Sequence, residues 1–374
     1  MNVSSSAPPL KALGQTWCKS GANAWGTGTA CDVAFADSGF IFDVPTLLAR
    51  KPQSNISLQA VRKNPTTQSC DPAFSSGTRD ILFTRSYTDP NTGTADVLVN
   101  DVVLGAAGST VSLNFGSNAT TQLKVQYNDA GQITLNARYA PSSGAESGLV
   151  MTGSDLFVSK PYGLLLQTDA ISSCTADISC PLYPGGVRAG DPFSLRLKAV
   201  AWQSDGEALT AAALADNPAT PNFRLNNIAL SSQVQAPSGG SNGTLGLTSY
   251  SHALGNQTTL SSQSISDVGV FALTATPVPG SYFGETVSGG TSGLVGRFAP
   301  DYFDVQISQY EAEECVPGGG TPALFVYAGL NDALPTLVKA GQPFLFSGSV
   351  TALNAVGAET RNYDKALGFS RLEG

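Results

Sequence analysis

Apolar and polar residues alternate along much of this chain in short runs. Asn55 to Arg62 (NISLQAVR), Asp80 to Ser86 (DILFTRS), Asp96 to Leu104 (DVLVNDVVL), Thr110 to Phe115 (TVSLNF), Gln122 to Tyr127 (QLKVQY) and Gln132 to Tyr139 (QITLNARY) each repeat with period two. Successive side chains of a strand point to opposite faces, so the pattern predicts strands with one buried side. Asn100-Asp101 falls midway along its run, and both residue types tolerate positive φ, which predicts a tight hairpin there. Only Ala208 to Ala215 (ALTAAALA) suits a helix, and it is long enough for a single short one. The expected fold class is all-β: tandem immunoglobulin-like β-sandwich domains with little helix.

Three recurring units organise the strands. Asp129-Ala130-Gly131-Gln132-Ile133-Thr134-Leu135-Asn136-Ala137 returns as Asp267-Val268-Gly269-Val270-Phe271-Ala272-Leu273-Thr274-Ala275, a corner in which Asp bonds nearby backbone and Gly supplies an unusual dihedral before a strand enters the core. Leu58-Gln59-Ala60-Val61, Leu197-Lys198-Ala199-Val200 and Val350-Thr351-Ala352-Leu353 form the second unit. Its last two copies follow Ala189-Gly190-Asp191-Pro192-Phe193 and Ala340-Gly341-Gln342-Pro343-Phe344. Ala60 precedes Asp129 by 69 residues and Ala199 precedes Asp267 by 68, an agreement that marks an internal repeat. A third unit, Phe157 with Pro161 and Leu164, then Phe298 with Pro300 and Phe303, opens each following copy. These spacings predict an N-terminal extension over 1–34, sandwiches over 35–158 and 159–298, and a partial third domain over 299–374. Its own Asp-x-Gly corner would fall near position 420 by the same spacing.

Composition narrows the function classes. Charged residues make up 13% of the chain, against roughly 25% in an ordinary soluble domain, and Gly (40) and Pro (22) are plentiful, which argues against helical bundles. With 41% apolar residues the chain has enough material for a core. A net charge of −8 argues against nucleic acid and anionic lipid, whose recognition needs a basic surface. No apolar run approaches a membrane span, so no membrane insertion is expected. Met1 to Ser6 is polar where a signal peptide would be apolar, and reads as the start of a mature chain or an artificial boundary.

The six cysteines include no C-x-x-C pair, and His252 is the only histidine, so zinc sites lack ligands. Cys174 and Cys180 enclose five residues and read as a small disulfide loop. Among Cys18, Cys31 and Cys70, the expected bridge joins Cys31 to Cys18 or Cys70, while Cys315 is left over. This pattern favours an oxidising compartment.

Gly239-Gly240-Ser241-Asn242-Gly243 matches G-x-S-x-G, but the strand before it and the helix after it that a nucleophile elbow needs are not predicted, so it reads as a hairpin loop. Asp89-Pro90-Asn91-Thr92-Gly93-Thr94-Ala95-Asp96 alternates oxygen ligands as a calcium loop does, yet lacks the bidentate Glu and reads as a turn. Glu311 to Glu314 reads as a solvated loop. Trp17, Trp25, Tyr162, Trp202 and Tyr282 are candidate stacking surfaces whose commoner place in a sandwich is partial burial. No catalytic, cofactor-binding or metal residues are predicted.

Longer wording carries a resemblance. Gly39 to Pro45 (GFIFDVP), Ala60-Val61-Arg62 with Cys70-Asp71-Pro72-Ala73-Phe74, Tyr127-Asn128-Asp129-Ala130-Gly131-Gln132, Ser266-Asp267-Val268-Gly269, Gly296 to Phe303 (GRFAPDYF), and Ala352-Leu353-Asn354-Ala355 with Thr360-Arg361-Asn362-Tyr363 resemble the C-terminal region of MshQ-like proteins. These are large secreted bacterial proteins associated with biogenesis of mannose-sensitive haemagglutinin (MSHA) type IV pili. The resemblance implies a domain of unknown function, pilus-linked or adhesive, and supplies no catalytic residues. The leading expectation is a non-enzymatic extracytoplasmic segment of a Gram-negative bacterium, secreted, periplasmic or on the cell surface. Its expected partners are pilus or surface proteins, reached by strand addition at a sheet edge. The alternatives are a carbohydrate-binding or calcium-dependent adhesin module and, more remotely, a secreted hydrolase using Ser241 and His252.

Overall fold

The computed structural model describes residues 38–64, 66–67, 69–170, 188–310, 313–315, 323–325 and 346–367. Eleven strands precede residue 161: β1 (Ser38–Ile41), β2 (Leu47–Leu48), β3 (Gln53–Lys63), β4 (Cys70–Pro72), β5 (Gly77–Asp89), β6 (Val97–Val99), β7 (Val102–Val103), β8 (Ser109–Phe115), β9 (Thr120–Tyr127), β10 (Gly131–Tyr139) and β11 (Met151–Lys160). One sheet runs β1-β3-β9-β6-β7, with β4 also paired to β3, and the other runs β2-β11-β10-β5-β8. Alternation decides which side faces in. Along β10, Ile133, Leu135, Ala137 and Tyr139 are buried, and they meet Leu58, Leu123 and Val125 of the facing sheet in one core. Asn100 and Asp101 both take positive φ between β6 and β7, matching the twist of the strands they join.

A second pair of sheets follows, built from β12 (Gly163–Thr168), β13 (Phe193–Val200), β14 (Leu225–Ala236), β15 (Ser249–His252), β16 (Thr258–Gln263), β17 (Gly269–Thr276) and β18 (Gly290–Phe298). The orders are β12-β13-β16 and β15-β14-β17-β18. Leu164, Leu166, Leu195 and Leu197 of the first sheet pack on Ile228, Phe271, Leu273 and Val295 of the second.

Ala208 to Ala215 departs from its helical composition. Leu209 and Ala211 spend backbone groups on Thr291, and only Ala213–Asp216 close a 3-10 turn, whose Leu214 packs on Leu165 and Val200. Tertiary pairing outweighs a weak intrinsic preference here.

Beyond residue 300 lie β19 (Tyr302–Tyr310), β20 (Glu313–Cys315), β21 (Ala323–Phe325) and β22 (Phe346–Leu353). Among the described residues β19 pairs with β22, and β20 with β21. Phe303 stands opposite Ala352, as Leu164 stands opposite Ala199 in the sandwich before it. Val305 and Val350 therefore hold the places that Leu166 and Leu197 fill in a closed core, and both are exposed here.

Candidate functional site

The two Asp-x-Gly corners sit at the same structural point. Asp129 is buried and its Oδ1 accepts from Ala130 N–H at 2.7 Å and from Asn222 N–H of the next sandwich at 3.2 Å. Asp267 is equally buried, and its Oδ1 accepts from Val268 N–H at 2.9 Å and from Asn362 N–H beyond the next ribbon at 3.0 Å. Each corner thus ends one unit and grips the following one. Burial away from water raises both carboxyls, Asp129 to about 6. Gly131 and Gly269 take φ of 139° and 131°, and a β-carbon added to either would meet a backbone carbonyl and a proline, Asp89-Pro90 in one case and Ala236-Pro237 in the other.

The gripped element is a Thr-x-Asn-aromatic loop. Thr220 N–H donates to Ala199 O and Thr360 N–H to Ala352 O, each at 2.9 Å, while Phe223 and Tyr363 N–H return to those threonine carbonyls. Sequence spacing hides the match, because Thr220 lies 21 residues after Ala199 and Thr360 only 8 after Ala352. The difference is the insertion that carries the 3-10 turn. The shared wording Thr220-Pro221-Asn222-Phe223 and Thr360-Arg361-Asn362-Tyr363 was the available signal.

Three further backbone bonds repeat. Ala49 N–H donates to Lys160 O (2.8 Å), Arg50 N–H to Tyr127 O (2.8 Å), and Ala49 O accepts from Trp202 N–H (3.0 Å). One unit later Ala189 N–H donates to Ala299 O (2.8 Å), Gly190 N–H to Ile265 O (2.7 Å), and Ala189 O accepts from Ala355 N–H (2.8 Å). Ala49-Arg50-Lys51-Pro52 is therefore another copy of the Ala-Gly-x-Pro unit. Arg50 shares the positive φ of Gly190, 68° against 87°.

Side chains add to each junction. Arg224 donates to both oxygens of Asp89 at 2.8 and 2.9 Å, Asn222 Nδ2 to the Tyr127 hydroxyl at 3.0 Å, and Lys160 pairs with Glu285 at 3.3 Å. At the second junction Arg188 pairs with Asp301, and Asn354 Nδ2 donates to Ser266 O at 2.9 Å. Asn362 Oδ1 accepts from Ser241 N–H at 2.6 Å, while its Nδ2 donates to Ser241 O and Val268 O.

The G-x-S-x-G loop is accordingly a docking loop. Asn242 lies beside Ser232 and Val234, toward one end of β14, whereas His252 pairs with Leu225 at the other. Nine residues of strand put these ends roughly 30 Å apart, too far for a nucleophile and its base. His252 is buried against Phe223 and Tyr250, and loss of hydration pushes it down to about 4, so it is neutral at pH 7. Asp89, at the head of the segment read as a turn rather than a calcium loop, has its carboxylate engaged by Arg224. No group of three metal-ligating side chains occurs among the described residues.

Tyr282 is buried, Tyr162 donates its hydroxyl to Glu207 O at 2.6 Å, and Trp202 is half-buried. Trp17, Trp25, Cys18, Cys31, Cys174, Cys180 and the side chains of Glu311 to Cys315 lie outside the described residues. Cys70 is exposed with a free thiol among those described.

Residues 15–154 match the family described as domain of unknown function (DUF6701), first Ig-like domain. Residues 160–263 match its second domain and 267–373 its third. The chain belongs to the DUF6701 family. The DUF6701 match that starts at 267 joins the closing sheet of the second sandwich to the ribbon after it, so one match contains both Asp267 and Asn362. No curated protein matches the chain. Similar solved structures include the D0-D1 domain of intimin (10% identity, 70% of this chain and 98% of that one, TM-score 0.20). The Yersinia pseudotuberculosis adhesin InvE matches at 11% identity over 78% and 74%, with a TM-score of 0.28. Murine CEACAM1b matches at 12% over 69% and 98%, with a TM-score of 0.22.

Proposed function

We propose that this DUF6701 segment is a non-enzymatic structural element of a secreted, periplasmic or surface protein of a Gram-negative bacterium, working in presentation or assembly on an MSHA-type pilus. On this reading the domain boundaries lie near 159 and 299. The observation that carries the reading is the repeated junction. The same backbone bonds join units one to two and two to three, so each step of the array applies a similar rotation, as a head-to-tail interface does when it extends rather than closes. A stiff array holds its ends apart, which suits presentation at a surface. Exposed Val305, Ile307 and Val350 on the β19–β22 ribbon support strand addition as the route by which a neighbouring surface protein binds.

Small-angle scattering tests the mechanical part. The protein should be elongated, with a maximum dimension insensitive to salt. Asn362→Ala removes three hydrogen bonds of a buried side chain, costs about 2 kcal/mol, and should broaden the distance distribution at its long end. A distribution unchanged by that substitution would refute the latch. Antibody against this segment should label intact producer cells, and a cytoplasmic location would refute the surface assignment.

A further inference from the structure

The first and second junctions share their backbone bonds but differ in side chains, and two of the differences converge. Where the second junction has Gly190, the first has Arg50, in a left-handed conformation that strains a residue carrying a side chain. Where the second has Ala355, the first has Trp202, although alanine serves the shared bond to the alanine carbonyl equally well. Neither replacement is needed to build the junction. Both line one cleft of about 320 Å3 between the first two sandwiches, together with Gln126, Gln203, Asp216 and Pro218.

The lining is chemically specific. The Trp202 indole N–H donates to Asp205 at 3.1 Å, and Lys51, paired with the same Asp205, lies 5.5 Å from the ring centre, so the ring is held in place. Arg50, Gln203 and Asp216 are exposed. The guanidinium of Arg50 and the carboxylate of Asp216 line one cleft without pairing to each other. A fixed aromatic ring, one donor-only cation, one acceptor-only anion and two amides suit a ligand that is apolar on a ring face and both donates and accepts around its rim. A pyranose sugar has that distribution. A purely anionic ligand would be repelled by Asp216, and an apolar peptide would leave both charges desolvated and unpaired.

We propose that the cleft around Arg50 and Trp202 is a glycan-binding subsite taking a hexopyranose residue, its ring stacked on Trp202 and its hydroxyls shared among Arg50, Gln126, Gln203 and Asp216. The assignment stands on the cleft and is independent of the pilus-linked reading above.

Saturation-transfer NMR on the full chain with methyl glycosides of mannose, galactose, N-acetylglucosamine and glucuronic acid, followed by an array of immobilised oligosaccharides, tests it. At least one pyranoside should bind, and Trp202→Ala and Asp216→Ala should each weaken it by about tenfold or more. Trp202→Ala installs the residue found at the equivalent point of the second junction, and Asp216→Ala touches no junction bond, so the second variant decides if the first misfolds. Arg50→Gly should weaken binding while leaving the unfolding temperature unchanged or higher, the signature of strain kept for a ligand. Absence of binding to every glycoside and array spot overturns the proposal, as does binding that Asp216→Ala and Arg50→Gly both leave intact.

Discussion

Gly131→Ala and Gly269→Ala will each destabilise the sandwich they close by about 4 kcal/mol, from backbone strain of about 1 to 3 kcal/mol and overpacking of a similar size. At φ of 139° and 131° an L-residue lies outside even the left-handed helical well, in territory that essentially only glycine occupies. Space is closed as well. A methyl group on Gly131 would meet Asp89 O at 2.5 Å and Pro90 Cδ at 3.3 Å, and one on Gly269 would press on Ala236 O and Pro237 Cδ. Backbone carbonyls held in a sheet cannot swing aside as a flexible side chain can. Relief would require moving β10 from β5, or β17 from β14, and losing ladder bonds. Gly144, by contrast, also has positive φ but nothing near the added methyl, so Gly144→Ala should cost no more than about 1 kcal/mol. Urea unfolding followed by circular dichroism measures all three. Equal costs at Gly131 and Gly144 would show that dihedral preference alone acts at the corner and that the close approach is harmless.

These corners were legible in the sequence because both physical requirements leave a residue-type signature. A buried Asp that caps backbone and a Gly at forbidden φ are hard to replace, and the alternating residues that follow must fill a core. The strand pattern was legible for the same reason: Ile133, Leu135, Ala137 and Tyr139 can face only one way. The spacing from the strands of Ala60 and Ala199 to the corners that follow them was legible to within one residue.

The junction was less legible because backbone groups make it. Ala49, Ala189, Trp202 and Ala355 contribute N–H and C=O groups that every residue but proline carries, so their side chains were free to diverge. Arg50 concealed the first Ala-Gly-x-Pro unit by holding a glycine conformation without being glycine. The Thr-x-Asn-aromatic loop was hidden by an insertion, and Ser241 drew notice as a hydrolase motif when its backbone serves Asn362. The local sequence reads the loop around Ser241 as a hairpin, and its docking role depends on a three-dimensional neighbour that the local sequence does not contain.

Asp129→Asn will stabilise the first junction at pH 8 by up to about 3 kcal/mol, and the gain will vanish by pH 4. The Asp129 carboxyl rises from an ordinary value of 3.8 to about 6, chiefly through loss of hydration, which the bonds from Ala130 and Asn222 N–H only partly offset. A carboxyl raised in the folded state binds its proton more tightly there than in the unfolded chain. Its stabilising effect is therefore complete below about pH 4 and lost as pH rises through 6, leaving the folded protein with a buried charge at neutral pH. Each tenfold gain in proton affinity is worth about 1.36 kcal/mol, so a rise of this size sets the limit of about 3 kcal/mol. Tyr127 and Tyr282, both raised by burial, stay neutral between pH 4 and 8, and the Arg224–Asp89 pair lies at the same junction. Asparagine keeps the acceptor that Ala130 and Asn222 use and carries no charge, so it removes the cost without removing the latch. Other carboxyls, Asp267 among them, titrate in the wild type and the variant alike. The quantity to measure is thus the difference between the two proteins in urea midpoint at pH 4, 5, 6, 7 and 8. A difference constant across that range would mean that Asp129 is ionised at an ordinary pKa within the junction, and that hydration reaches the latch.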